Sequence, residues 1–197
     1  MRTMPYVIKN EEGRDYQYDI FSLLLKDRII FLNGVIDDNI SDSVIAQLLY
    51  LNSVDSEKEI SLYINSPGGS VSSGLAIYDT IRFIKAPVHT IAMGLAASMA
   101  SLILASGDKR SLLPHTKVMI HQPLIPEGIG GKETEISILA KDLSQTRKTI
   151  AKILSKHTGK SIKQIEKDIE NDRYMNAEEA IKYGIADTII ESEVLEK

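Results

Sequence analysis

Twice along this chain an apolar, strand-like run stops at a glycine break and a helical pattern starts at once. The first run, Ile60-Ser61-Leu62-Tyr63-Ile64, closes in Asn65-Ser66-Pro67-Gly68-Gly69 and leads to Leu75, Tyr78, Ile81 and Phe83 at helical spacing. The second, Val88–Met93, ends at Gly94, and Ala96–Ala105 reads as a buried helix. Repeated strand–turn–helix units constrain the chain to the α/β class. The breaks also carry chemistry. The first N–H groups of a helix have no intrahelical acceptor and sit at the positive end of its dipole. Two adjacent breaks would make an oxyanion hole. The plain alternative is a pair of tight turns in an α/β sheet. Neither break is a phosphate loop, because no G-x-x-x-x-G-K-[ST] run is present.

The rest of the chain keeps the alternation. Arg28–Leu32 holds a buried-strand run, and Ser41 is placed to cap a helix carrying Val44, Ile45, Leu48, Leu49 and Leu51. Val118-Met119-Ile120 is a short strand that runs into His121. Glu133–His157 is the longest helical pattern, with Ile136, Leu139, Leu143, Ile150, Ile153 and Leu154 on one face and Gly159 as its stop. Ile162–Asn171 and Ala177–Tyr183 read as shorter helices, the second with Asn176 and Glu179 as a capping box. Ala186–Ile190 is a last strand. Residues 1–15 mix charged and polar side chains and read as an N-terminal arm. No Pro/Gly/Ser-rich linker divides the chain, so residues 1–197 are expected to form a single domain, with the helix from Glu133 free to project.

Composition removes several function classes. The 197 residues include 23 Lys+Arg against 27 Asp+Glu, a net charge of −4 with no basic tract, so no nucleic-acid partner is expected. With no cysteine there is no thiolate nucleophile and no Cys-type zinc site, and with only four histidines a His-rich metal centre is not expected either. The most apolar stretch, Gly94–Gly107, is shorter than the about 20 residues that cross a bilayer. Met1–Gly13 lacks the apolar run of a signal peptide. A cytoplasmic protein away from membranes is the expectation.

Any imidazole chemistry must use His89, His115, His121 or His157. His121 stands at a strand end, where a general base could reach a site on the sheet rim. His89 lies inside an apolar strand and reads as structural. His115 follows Pro114 in a loop and reads as surface. His157 lies near a helix C-terminus, where a cation suits the dipole. Ser98 follows the second glycine break among small residues, in Gly94-Leu95-Ala96-Ala97-Ser98-Met99-Ala100-Ser101. That is the placement of a nucleophile elbow without its usual G-x-S-x-G spelling, and equally that of a serine packed in a buried helix. A third group should orient the base, and spacing does not choose among the carboxylates.

The run Thr90-Ile91-Ala92-Met93-Gly94-Leu95-Ala96-Ala97-Ser98-Met99-Ala100-Ser101 resembles the active-site serine signature of the Clp protease proteolytic subunits. Arg110 through Val118-Met119-Ile120-His121-Gln122-Pro123 resembles their histidine signature. Ser61 to Gly69 and Ala76-Ile77-Tyr78-Asp79-Thr80 are similar to other fixed segments, and the likeness runs from about Pro5 to Ile190. The resemblance implies a crotonase-like α/β spiral with a protruding helical handle at Glu133–His157. It implies a serine endopeptidase that hydrolyses unfolded proteins inside two stacked seven-membered rings, with an AAA+ unfoldase feeding the chamber at the expense of ATP. The subunit itself would need no cofactor or metal.

Carried over by position, Ser98 is the nucleophile, His121 the base and Asp172 the third member. Gly69 and Met99 supply the oxyanion-hole N–H groups, and Tyr63 and Phe83 the surface that receives the unfoldase. The chain departs from the family in three places. The Ser98–His121 interval is shortened near Ser106–Arg110. The loop after His121 is lengthened and holds Pro126. Asn171 stands where many members have an arginine that locks the rings. A second reading therefore makes this chain a weakly active subunit of a mixed barrel with a more typical paralogue. A third, an acyl-CoA enzyme of the same fold, would want an acid–base carboxylate near the hole, where the sequence offers Ser98 and His121.

Overall fold

The structure is a computed structural model that describes residues 5–125 and 130–191, so Met1–Met4 and Pro126 lie outside the described residues. From Tyr6 the expected N-terminal arm forms a hairpin, β1 (Tyr6–Glu11) and β2 (Arg14–Asp19). Glu12 and Gly13 both take positive φ, 52° and 80°, the combination that lets a two-residue turn match the twist of its strands. α1 (Ile20–Lys26) leads to β3 (Ile29–Asn33).

α2 (Asp38–Val54) is capped by Asp37, whose carboxylate accepts the Ile40 N–H at 2.8 Å. Ser41, expected as the cap, lies inside that helix, buried, and donates to the Ser73 carbonyl at 2.9 Å. The two regular units follow as β4 (Ile60–Ser66) with α3 (Val71–Phe83), and β5 (Val88–Ala97) with α4 (Met99–Ala105). β6 (Lys109–Leu112) and β7 (Lys117–Ile120) come next, then the long α5 (Glu133–Thr158). α6 (Ile162–Asp168), β8 (Arg173–Met175), α7 (Ala177–Tyr183) and β9 (Thr188–Ile189) complete the described chain.

The main sheet has seven strands, with β3-β4-β5-β6-β9 all parallel, β7 added beside β5, and β8 antiparallel to β7. Ile30, Leu32, Leu62 and Ile64 are fully buried. Each is worth about 1.5–3 kcal/mol over an exposed side chain, so a one-residue slip in β3 or β4 would forfeit the whole set. β5 does not end at Gly94 as the glycine suggested. Gly94 takes φ 70° and the strand continues to Ala97 with a new neighbour. His89–Ala92 pair with β6, whereas Leu95–Ala97 pair with β7. The positive φ thus lets one edge of β5 serve two partners while β4 runs along the other, and it carries Ser98 to the end of the second half.

α5 divides in the same spirit. Ile150, Ala151 and Leu154 near its C-terminus are buried, while Ile136 and Ile138 are 51% and 70% exposed. Its N-terminal stretch buries none of its side chains, which fits the expected handle. Among the described residues, no helix is long and apolar enough to cross a membrane.

Candidate active site

Strand register assembles the site. Ala97 pairs with Met119, and the Ser98 N–H donates to the Met119 carbonyl at 2.9 Å, so Ser98 leaves β5 beside Ile120. Ile120 pairs with Arg173 across the antiparallel β7–β8 ladder. The next position along that ladder sets His121 opposite Asp172. Spacing in the sequence could not choose this carboxylate, and register does. His121 is 17% exposed and Asp172 is 56% exposed at their side chains. With its proton on Nδ1, the imidazole donates to Asp172 Oδ1 at 3.1 Å, and Nε2 accepts from Ser98 Oγ at 2.9 Å. The main chain beyond His121 is held too: the Gln122 N–H donates to the Ile169 carbonyl at 2.7 Å and Gln122 Nε2 to the Glu170 carbonyl at 3.0 Å.

Ser98 takes φ 53° and ψ −124°, one of three described non-glycine residues with positive φ. An L-residue holds such a conformation only when its surroundings enforce it. Here the N–H is fixed by Met119, while the Ser98 carbonyl accepts from Ser101 Oγ at 2.6 Å and from the Ser101 N–H at 3.0 Å. The helix expected from Ala96 therefore starts only at Met99. Met99 is its first residue, so its N–H has no acceptor within α4.

The first glycine break supplies the facing backbone. Gly69 forms a parallel bridge with Ile36: the Ile36 N–H donates to the Gly68 carbonyl and the Ser70 N–H to the Ile36 carbonyl, both at 2.8 Å. With its two neighbours facing Ile36, the Gly69 N–H turns the other way. A Cβ on Gly68 would lie 2.6 Å from the Ala97 carbonyl oxygen and 2.7 Å from Ser98 Cβ. The two breaks are thus pressed together at Gly68, which lies against Ser98 and the Met99 nitrogen, with Gly69 the next residue along. Ser101, Met119 and Gly68 were not singled out as supports from sequence. Only the Pro-Gly-Gly turn hinted at one of them.

The other expected residues scatter. Tyr63 stacks on Phe31 with ring centroids 5.6 Å apart, and Phe83 ends α3 with 82% of its surface exposed. His115 is exposed. His89 is buried in β5 and its Nε2 meets Ser111 Oγ at 2.8 Å. His157 is not the helix-end cation expected from sequence. Burial first, then the Lys156, Arg82 and Arg110 charges, lower its pKa to about 4, and its Nε2 bonds the Tyr78 hydroxyl at 3.0 Å. Arg110 accounts for the neighbouring carbonyls: it donates to His157 O at 3.1 Å and Gly184 O at 3.0 Å and forms an ion pair with Asp187, whose carboxyl it holds below the usual range.

A hydroxyl, an imidazole and a carboxylate in hydrogen-bonded series, with the hydroxyl on a strained strand-to-helix turn, is the layout of a serine hydrolase. Comparison with known proteins narrows that class. The Clp protease family model matches residues 11–193. The chain is 52% identical to the ATP-dependent Clp protease proteolytic subunit of Streptococcus mutans serotype c over 98% of this chain and 99% of that protein. It is 50% identical to the subunit of the same description from Streptococcus uberis, with the same coverage. The chain belongs to the Clp protease family and is a serine peptidase.

Proposed function

We propose that this chain is the proteolytic subunit of an ATP-dependent Clp system and that Ser98, His121 and Asp172 perform the hydrolysis. The observation that carries the assignment is the continuous series Ser98 Oγ–His121 Nε2 at 2.9 Å and His121 Nδ1–Asp172 Oδ1 at 3.1 Å. His121 Nε2 takes the Ser98 proton as Oγ attacks the scissile carbonyl, and Asp172 fixes the tautomer and stabilises the imidazolium. The carbonyl oxygen becomes an anion that accepts from the Gly69 and Met99 N–H groups. His121 returns its proton to the leaving amine, the C–N bond breaks, and water then releases the acyl group from Ser98 by the same route in reverse. No metal or cofactor has a step in this scheme. ATP belongs to a partner unfoldase, consistent with a sequence that has no phosphate loop.

The same reading places the chain in the cytoplasm, in a barrel of two stacked seven-membered rings that receives unfolded proteins. Tyr63 and Phe83 offer apolar surface to the unfoldase, and the first half of α5 offers Ile136 and Ile138 to a facing subunit. A fluorophosphonate should label Ser98, and native mass on the same sample should give a double ring. Absence of labelling in a folded protein would defeat the proposal.

Asn171 supports a second reading, a subunit that works with a more typical paralogue. It is exposed beside Asp172, and an uncharged amide cannot form the bidentate pair that an arginine makes with a carboxylate. Asn171→Arg should then shift native mass from single towards double rings and raise peptidase activity. A stable double ring without the substitution, and no gain with it, would remove this second reading.

A further inference from the structure

Asp172 is far more exposed than His121, at 56% of its side chain against 17%. Among the described residues its carboxylate has a single hydrogen-bond partner, His121 Nδ1 at 3.1 Å. An exposed contact of that kind contributes at most about 1 kcal/mol, too little to hold the carboxylate in line by itself. The main chain that carries Asp172 has to place it. That main chain is a short turn: α6 ends at Asp168, β8 begins at Arg173, and residues 169–172 lie between. Gln122 holds the Ile169 and Glu170 carbonyls from the side of β7.

The two ends of the turn are bridged to each other. Arg173 Nη1 donates to Asp168 Oδ1 at 2.9 Å. Asp168 is a firm anchor, because its side chain is only 8% exposed and its carboxylate takes two further donors. These are Gln164 Nε2 at 2.9 Å and the Tyr183 hydroxyl at 2.8 Å. Burial first, then the Asp168 hydrogen bond and charge, push the Tyr183 pKa up, so the phenol keeps its proton and remains a donor. The Arg173 guanidinium carbon also lies 5.0 Å from the centroid of the buried Tyr183 ring. Arg173 is therefore pinned to α6 and α7, although its own side chain is 45% exposed. Strand geometry turns that pin into control of Asp172. Successive side chains of a strand point to opposite faces. Arg173 pairs with Ile120, and position 172 stands opposite His121. Arg173 reaches back to α6 and α7 while Asp172 reaches forward to His121. A rotation of the start of β8 that freed Arg173 would swing Asp172 away from Nδ1.

We infer that Arg173 is a positioning residue for hydrolysis, anchored by Asp168, and that their bridge across the turn holds Asp172 against His121 Nδ1. The inference rests on the reading of Asp172 as the third member of the series and adds the pair that keeps it there.

The test measures kcat and KM of the full chain on a fluorogenic peptide. Arg173→Ala, at a half-exposed residue outside the core, should lower kcat about tenfold and leave KM near the parent value. Asp168→Asn keeps the shape of the anchor, removes its charge, and should give a fall of similar size. The two changes together should cost no more than either alone, since both break one link. Gln164→Ala removes a donor that comes from the anchor's own helix and leaves the bridge intact, so kcat should stay near the parent value. The Asp172→Ala background separates positioning from mere support of the fold. There, adding Arg173→Ala should change kcat by less than about twofold. A fall by the full factor in that background would overturn the inference, as would a raised KM with kcat unchanged or an equal loss in Gln164→Ala. Parent kcat in Arg173→Ala, with Asp172→Ala still impaired, would overturn the bridge and leave the triad standing. Parent turnover in Asp172→Ala would remove the reading of the triad and the inference with it.

Discussion

Among the described residues, two places set a serine hydroxyl against an imidazole and the imidazole against a carboxylate. One is Ser98–His121–Asp172, at 2.9 and 3.1 Å. The other is Ser111–His89–Glu59, at 2.8 and 3.6 Å. By distance from hydroxyl to ring the second is slightly the tighter, yet only the first has the setting of a catalyst. Ser111 sits inside β6, 1% exposed, with its hydroxyl shared with Thr188 Oγ1 at 3.0 Å. It has no strained turn to lift it out of the sheet and no helix start beside it. His89 is buried, and desolvation, helped by the Lys109 charge, lowers its pKa despite Glu59. An imidazole held neutral in this way resists taking the serine proton. A triad is therefore more than three groups in reach. It needs access and N–H donors placed to receive the developing oxyanion.

The sharpest way to break this comparison is to delete each hydroxyl. Ser98→Ala should lose fluorophosphonate labelling and lower peptide turnover by about a thousandfold or more. Ser111→Ala should keep turnover near the parent value and cost about 1–3 kcal/mol in unfolding, because it strands the buried His89 Nε2. A large kinetic loss at Ser111, or retained labelling in the Ser98 variant, would reverse the ranking. The carboxylates should follow in the same order. Asp172→Ala should slow turnover by roughly a hundredfold or more, while Glu59→Ala, at a residue whose side chain is 47% exposed, should leave it nearly unchanged.

What the sequence revealed divides along the same line. The two glycine breaks and the strand before His121 were legible because turn chemistry and apolar runs are local signals. Ala177–Tyr183 was legible to the residue, with Asn176 and Glu179 exchanging hydrogen bonds at 2.9 Å as a capping box should. Strands β1, β2, β6 and β8 were not legible, since more than half of their positions are charged, amide or serine side chains, and β6 and β8 take their partners from far along the chain. Ser41 was mistaken for a cap because a serine before an apolar run looks the same whether its hydroxyl reaches its own helix or, as here, the next one. The charge of His157 was misjudged because burial is a tertiary property. Asp172 came from resemblance alone until register supplied the physical reason for it.

A smaller perturbation tests whether the strained turn, rather than the hydroxyl, separates the two series. Gly68 takes φ 89°, and a Cβ there would lie 2.6 Å from the Ala97 carbonyl oxygen, 2.7 Å from Ser98 Cβ and 2.9 Å from the Met99 nitrogen. Backbone and Cβ cannot yield as a flexible side-chain tip would. Gly68→Ala should move Ser98 away from His121 and Met99 and reduce turnover by about tenfold to a hundredfold. It should also cost roughly 1–3 kcal/mol in stability. Turnover unchanged in a folded variant would show that the fit between the two breaks does not position the nucleophile.

A third hydroxyl–imidazole pair, Tyr78–His157 at 3.0 Å, has no carboxylate bonded to the ring, and burial with the Lys156, Arg82 and Arg110 charges outweighs the Asp108 carboxylate near it. The unfolded chain binds a proton on this histidine near the ordinary 6.5, whereas the folded chain resists until about 4. The unfolded state therefore takes up more protons as the pH falls. Stability from this group is fully present above 6.5, declines as the pH drops through that window, and is gone below about 4. The loss should be on the order of 2 kcal/mol. His157→Gln keeps a hydrogen-bonding partner for the Tyr78 hydroxyl but cannot titrate. Its unfolding free energy, followed by denaturant at several pH values, should fall less steeply between pH 6.5 and 4.5 than that of the parent. His89, whose pKa is lowered in the same direction, should leave a residual slope in that variant. Parallel pH dependences for parent and variant would mean that His157 takes up its proton in the folded chain as readily as in the unfolded one, and that its burial does not hold the ring neutral.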